Sequence, residues 1–327
     1  MKALILEQPG TPDTLRLAEM PQPQPGEGEV RIQVNAVGLN PADYKFMETG
    51  FPQWKYPFIP GMDVAGTIDA LGKNVTNWSI GDRVYYHGNF TQPGGFAEFS
   101  ITTAHTIAPI PDHVAFTTAA ALPCASFTAY QVLYHKLHIQ PGQSILIHGG
   151  AGGVGGFAIQ LAAREGVEII STCSTSNIEW VQELGATNVI DYTKEDVTTR
   201  VMEITQGRGI DAIIDTVSSA SATTGLELLA YGGSIACVAG LPDFRKMQSF
   251  GKAISVHDIA LGMAYLLGDK KAQQQMAEIG QAIGKLIANQ QINPILTEII
   301  SLAEIPHALV RLSHRHVRGK IVAQIDF

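Results

Sequence analysis

The chain's clearest chemical signal is Gly150-Ala151-Gly152-Gly153-Val154-Gly155, which satisfies G-x-G-x-x-G. It directly follows the apolar run Ser144-Ile-Leu-Ile-His148 and opens an apolar stretch through Ala163, the strand–turn–helix setting in which such glycines bind a dinucleotide. In that setting Gly150 allows a tight turn, Gly152 lets backbone N–H groups approach a diphosphate, and Gly155 lets helix and strand pack closely. Gly153 and Val154 begin the helix, where unpaired N–H groups and the helix dipole favour an anion. A site for NAD normally ends its second strand with a carboxylate, about 20 residues on, to bind the ribose 2′-hydroxyl. Here that position reads Ser171-Thr-Cys-Ser174-Thr-Ser-Asn177, with no carboxylate before Glu179 and no Arg or Lys. A hydroxyl-rich, anion-free loop admits a 2′-phosphate, so NADPH is favoured over NADH. Ser174 stands in this loop. From the neighbouring strand end Tyr192 offers a hydroxyl and Lys194 a charge.

These residues need a frame. From Gln143 onward strands alternate with helices: strands Glu168–Thr172, Asn188–Ile190, Ile210–Asp215 and Ser234–Val238, and helices 178–184, 195–205 and 221–229. This rhythm predicts right-handed βαβ units and a doubly wound parallel sheet covered on both faces. The first 122 residues are different, with Pro- and Gly-punctuated short strands such as the alternating Glu29-Val-Arg-Ile-Gln-Val run, which predicts a compact β-rich domain. Residues 258–290 read as mostly helical, and the alternating tail Gly319-Lys-Ile-Val-Ala-Gln-Ile returns to β character. The parallel unit therefore reads as an insertion in the β-rich domain.

Composition narrows the function. With 327 residues the chain is long enough for two domains. Its 45% hydrophobic and 16% charged content excludes disorder. A net charge of −8 argues against nucleic-acid binding. Three scattered cysteines, Cys124, Cys173 and Cys237, fit a reducing compartment. The N-terminus reads as a strand, not a signal peptide, and no apolar run is long enough to span a membrane, so a cytoplasmic protein is expected.

Taken together, Gly38-Leu-Asn-Pro-Ala-Asp43, Pro60-Gly-Met-Asp-Val-Ala-Gly66, Gly81-Asp-Arg-Val84, Gly94-Gly-Phe-Ala-Glu98, the glycine loop and Gly319-Lys-Ile-Val322 resemble the medium-chain dehydrogenase/reductase superfamily, in its zinc-independent quinone oxidoreductase branch. The resemblance covers essentially the whole chain. It implies an α/β fold in which a Rossmann domain (123–266) is inserted into a GroES-like β-rich domain (1–122 and 267–327). Where zinc-dependent relatives hold their catalytic ion, this chain has Asn40, Met62 and Cys124. Amide and thioether are poor partners for zinc, and the cysteine-rich structural lobe is absent, so no metal is expected. His314 and His316 read as a solvated turn. Without a Lewis acid the acceptor must already be electrophilic, such as a quinone or an α,β-unsaturated carbonyl.

The resemblance also assigns roles. Asn40 is expected to orient the substrate or cofactor, Tyr44 is the nearest hydroxyl for proton donation, and Thr128 is expected on the nicotinamide side. Lys320 is expected at the diphosphate, and a homodimer is expected through Gly240–Val256. Val217 and Ala239, at the carboxyl ends of the later strands, are expected at the carboxamide. Enoyl-thioester reductases of this branch commonly carry a tyrosine after the glycine matching Gly50, whereas this chain has Phe51. The expected activity is NADPH-dependent reduction of a quinone, enal or enone. A crystallin-like nucleotide binder with little turnover and an enoyl-thioester reductase remain as alternatives.

Overall fold

The computed structural model describes residues 1–315 and 317–326. His314 is exposed beyond the helix Ile305–Ser313, and His316 lies outside the described residues. The chain forms two compact units, one from Met1–Phe127 with Leu261–Phe327, the other from Thr128–Ala260. Among the described residues no helix is long and apolar enough to cross a membrane.

The second unit is a six-stranded sheet in the order Asn188–Asp191, Glu168–Cys173, Ser144–His148, Ile210–Asp215, Leu229–Cys237, Ser255–Asp258, with every pairing parallel. In chain order this is 3-2-1-4-5-6, the doubly wound arrangement whose direction reverses between the first and fourth strands. Parallel strands covered on both faces must be apolar throughout, and Ser144–His148 is buried along its whole length. Leu146, Ile170, Ile190, Ile213 and Ile235, one from each of five strands, form the core with Val201, Ala222 and Leu226 from the helices.

The first unit is built on a seven-stranded sheet. Its ten-residue strand Glu29–Gly38 alternates: Val30, Ile32 and Val34 are buried while Glu29, Arg31 and Gln33 are half-buried. It pairs antiparallel with Asp63–Leu71, Phe99–Thr103 and the C-terminal strand Lys320–Gln324. The register sets Asp63 opposite both Gly38 and His87, and Val322 opposite Gly38. Residues distant in sequence are thereby brought to one sheet end.

Elements outside the sequence expectation include the strands Arg16–Glu19, Ala108–Pro109, Ser255–Asp258 and Leu296–Ser301 and the helices Pro41–Thr49, Phe116–Ala120, Pro123–Tyr130 and Ile305–Ser313. The helix at Pro41 has a readable start signal, proline at its first position and an acid, Asp43, in its first turn. Its short and weakly patterned body gives little further cue.

Candidate active site

In the second unit the glycine cluster turns between the strand Ser144–His148 and the helix Gly153–Ala163. The turn itself departs from expectation. The left-handed residue is Gly149, at φ +72°, rather than Gly150. Gly150 is required by proximity, because a Cβ there would lie 2.1 Å from Ser171 Oγ. Gly155 is likewise a close-packing glycine, its Cβ position 2.3 Å from Gly149 O. Gly152 differs from both: the nearest atom to its Cβ position is Gly149 O at 3.4 Å. The fold tolerates a methyl there, so the openness over Gly152 is available to a ligand. The first helical bond runs from Gly156 N–H to Gly152 O at 2.9 Å, which leaves the amides of Gly153, Val154 and Gly155 without intrahelical acceptors.

At the end of the second strand, Ser174 precedes a short turn, and its Oγ accepts from Asn177 Nδ2 at 3.0 Å. The parallel register places Asp191 beside Cys173, bringing to this end a carboxylate that sequence reasoning missed. That carboxylate is buried and engaged, accepting from the Thr175 hydroxyl and from Thr193 N–H and Oγ1–H at 3.0 and 2.6 Å. The Thr175 and Thr193 bonds hold it below the ordinary carboxylate range. Lys194 Nζ lies 3.8 Å from Asp191 Oδ2 with its side chain 65% exposed, and Tyr192 is also exposed. Beyond the later strands, Val217 is exposed but its N–H points back to Asp215 Oδ1 at 2.9 Å. Ala239 is half-buried past the end of Leu229–Cys237, and Thr128 is buried in the helix Pro123–Tyr130.

The first unit holds a buried polar cluster. Lys320, 3% exposed, donates from Nζ to Leu39 O at 3.0 Å, to Asn40 Oδ1, and to Asp63 Oδ2 at 3.4 Å. Asn40 Nδ2 donates to the same Asp63 oxygen at 2.9 Å, and Cys124 N–H donates to Asp63 Oδ1 at 2.8 Å. This corrects the expectation for Lys320: its three donors are turned into the protein, and none is left for a diphosphate. Asn40 is correspondingly fixed, its carbonyl toward the ammonium and its amide toward the carboxylate.

Asp43, one turn into the helix, accepts from Asn40 N–H through Oδ2 at 2.8 Å, while its Oδ1 has no hydrogen-bond partner. Burial, with Asp63's charge as a second cause, raises its pKa from 3.8 to about 8. The charged neighbours of Tyr44 are Arg315 and Glu48, not Asp63 and Lys320. The cluster therefore gathers around Asp43, and Tyr44 is not part of it. Beside it, Phe51 packs against Phe46 and Phe90 with centroids 4.9 and 4.8 Å apart, and Trp54 stacks on Phe58 at 3.9 Å.

The ligating atoms of Asp63, His87 and Cys124 lie within 4.8 Å of one another, a grouping that the scattered histidines did not suggest in sequence. Distance alone would suit zinc, but the charges do not. Asp63 already serves three donors, and an ammonium stands 3.4 Å from its Oδ2. Burial, then Asp63's charge, pushes the metal-free Cys124 thiol well up, and a dication beside Asp63 would face the Lys320 ammonium. His87 is held neutral by burial and its Nδ1 has no partner, so it is the one suitable donor. The residues present do not fit a dication.

A β-rich unit closed by the C-terminal strand, together with an inserted parallel sheet and its glycine loop, defines a medium-chain dehydrogenase/reductase. The family model described as alcohol dehydrogenase GroES-like domain matches residues 26–112, and that described as zinc-binding dehydrogenase matches 153–279. The quinone oxidoreductase of Homo sapiens is 31% identical over 288 residues, covering 86% of this chain and 85% of that protein. The solved quinone oxidoreductase of Coxiella burnetii superposes with a TM-score of 0.87 at 30% identity, covering 100% of this chain and 99% of that one. A mycobacterial structure complexed with NADPH gives 0.89 at 29% identity, covering 99% and 100%. The chain belongs to the quinone oxidoreductase branch of this superfamily and is an oxidoreductase.

Proposed function

We propose that the protein is an NADPH-dependent, zinc-free reductase of quinones or of activated alkenes such as enals and enones. The observation that carries this reading is the ammonium-centred cluster in the position where zinc-dependent relatives place a metal. Lys320 already neutralises Asp63 there, so no Lewis acid polarises the acceptor and the acceptor must be electrophilic by itself. Bound NADPH supplies the hydride. The chain supplies the amides of Gly153, Val154 and Gly155 to the diphosphate, and the groups around Asn40 to the substrate. The quinone oxidoreductase relatives and the NADPH-bound structural neighbour support the same assignment. Mixing the purified protein with NADPH and a panel of quinones and enones tests it: absorbance loss is expected in at least one class, and no oxidation in either contradicts it.

At the ribose end, Ser174, Tyr192 and Lys194 are proposed to hold the 2′-phosphate, with Lys194 giving the one positive charge. Lys194→Ala should raise the Kd for NADPH roughly fivefold, about 1 kcal/mol for an exposed pair, and leave NADH affinity unchanged. Equal effects on the two dinucleotides, measured by fluorescence titration, would remove Lys194 from the site. The exposed Phe244, Met247 and Phe250 precede the edge strand Ser255–Asp258 and support a homodimer through this edge.

A further inference from the structure

We propose that Asp43, rather than Tyr44, is the acid that protonates the substrate oxygen; this rests on the reductase reading above. Asp43 is 3% exposed and lines a cavity of about 20 Å³ walled by Phe46, Trp54, Phe58, Met62 and Phe90. That volume admits one oxygen-sized group. Asp43 is the one acidic side chain in the lining among the described residues. Its two oxygens are differentiated. Oδ2 is tied to Asn40 N–H, while Oδ1 has no partner, so a proton on Oδ1 has a direction in which to be given.

The surroundings keep that proton in place at neutral pH. Burial and the Asp63 carboxylate raise the pKa to about 8, against the opposing influence of Asn40 N–H and Lys320. The other titratable groups nearby are the Cys124 thiol, which itself feels Asp43, and His87, which feels Asp63 and Lys320. Burial keeps the thiol protonated and the imidazole neutral, so neither competes as a charged partner.

As the acceptor takes up hydride, the Asp43 Oδ1–H bond breaks and an O–H bond forms on the acceptor's carbonyl oxygen. A quinone then ends as hydroquinone, and an enone as the enol of the saturated ketone. The Asp43 carboxylate regains its proton from water. The acid form is the active one, so kcat is full below about pH 8 and falls above it.

The test compares wild type, Asp43→Asn and Asp43→Glu with NADPH and one active quinone, across pH. Asn keeps an oxygen for the Asn40 N–H but has no acid, and Glu keeps both. The expected result for Asp43→Asn is a fall in kcat of about a hundredfold with loss of the alkaline limb, while Asp43→Glu retains the limb. Infrared difference spectra between about pH 6 and about pH 10 should show a protonated-carboxyl band that Asp43→Asn lacks. That readout needs no turnover. A folded Asp43→Asn with wild-type kcat and an unchanged limb overturns the assignment. So does the absence of the band from the wild type. A wild type that oxidises NADPH with no quinone or enone overturns the reductase reading itself, and this role with it.

Discussion

Replacing Lys320 by Met is expected to destabilise the protein by about 3–5 kcal/mol, the cost of leaving a buried charge without its partner. The ammonium is 3% and the Asp63 carboxylate 0% exposed, so water cannot stand in for the lost cation. The loss spreads to Asn40, whose carbonyl also accepts from Lys320. Removing both charges together, Lys320→Met with Asp63→Asn, should recover most of the stability, because the neutral pair leaves no isolated ion. Urea unfolding of the two single variants and the double variant measures this. Strictly additive losses would mean that the two groups do not act as a pair.

The second large effect concerns the glycine loop, where two substitutions of equal size should both weaken NADPH but differ in their effect on stability. Gly155→Ala places a methyl 2.3 Å from Gly149 O. That atom is backbone and cannot rotate away, so the turn must shift, and both stability and NADPH affinity should fall. Gly152→Ala meets its nearest atom at 3.4 Å, an ordinary contact. It should keep the melting temperature within a degree or two of wild type while weakening NADPH at least about a hundredfold, because the methyl occupies the approach of the diphosphate. Thermal melts and dinucleotide titration of both variants separate the two effects. Unchanged NADPH affinity in Gly152→Ala would mean that the diphosphate does not lie over this loop.

Much of this architecture is legible in the sequence. The parallel unit could be read because each buried strand is a short apolar run bounded by Gly or polar residues. Ser144–His148 and Ile210–Asp215 fall at the ends expected of them. The helix Pro41–Thr49 escaped because Asn40-Pro-Ala-Asp43 reads equally as a turn, although Pro41 and Asp43 are both helix-start residues. The glycine motif identified the loop correctly but misplaced the turn by one residue, since spacing does not reveal which glycine takes positive φ.

The buried cluster was less accessible. Asn40, Asp63, His87 and Lys320 are joined by strand register, with Asp63 opposite His87 and the C-terminal strand Lys320–Gln324 beside Glu29–Gly38, and no local pattern encodes that. The resemblance places Lys320 at the diphosphate, and lysines are rarely buried. Only the coincidence of Leu39 O, Asn40 and Asp63 as acceptors explains its burial. Asp43 was visible in the motif but not as an acid, because its ionisation depends on enclosure. The Asp191 carboxylate escaped for a similar reason: it reaches the end of the strand Glu168–Cys173 by pairing with Cys173 across the sheet, 18 positions away in sequence.

The central claim is metal-free hydride transfer from NADPH to an acceptor that is electrophilic without help. It is tested most directly by dialysing the protein against a strong chelator, confirming the metal content, and following an enone with NADPH deuterated at the transferring C4 position. The account predicts undiminished turnover after dialysis, a primary isotope effect, and one deuterium on the β-carbon of the product for each NADPH consumed. Turnover that disappears on dialysis and returns with added zinc would contradict it, as would a product that carries no deuterium.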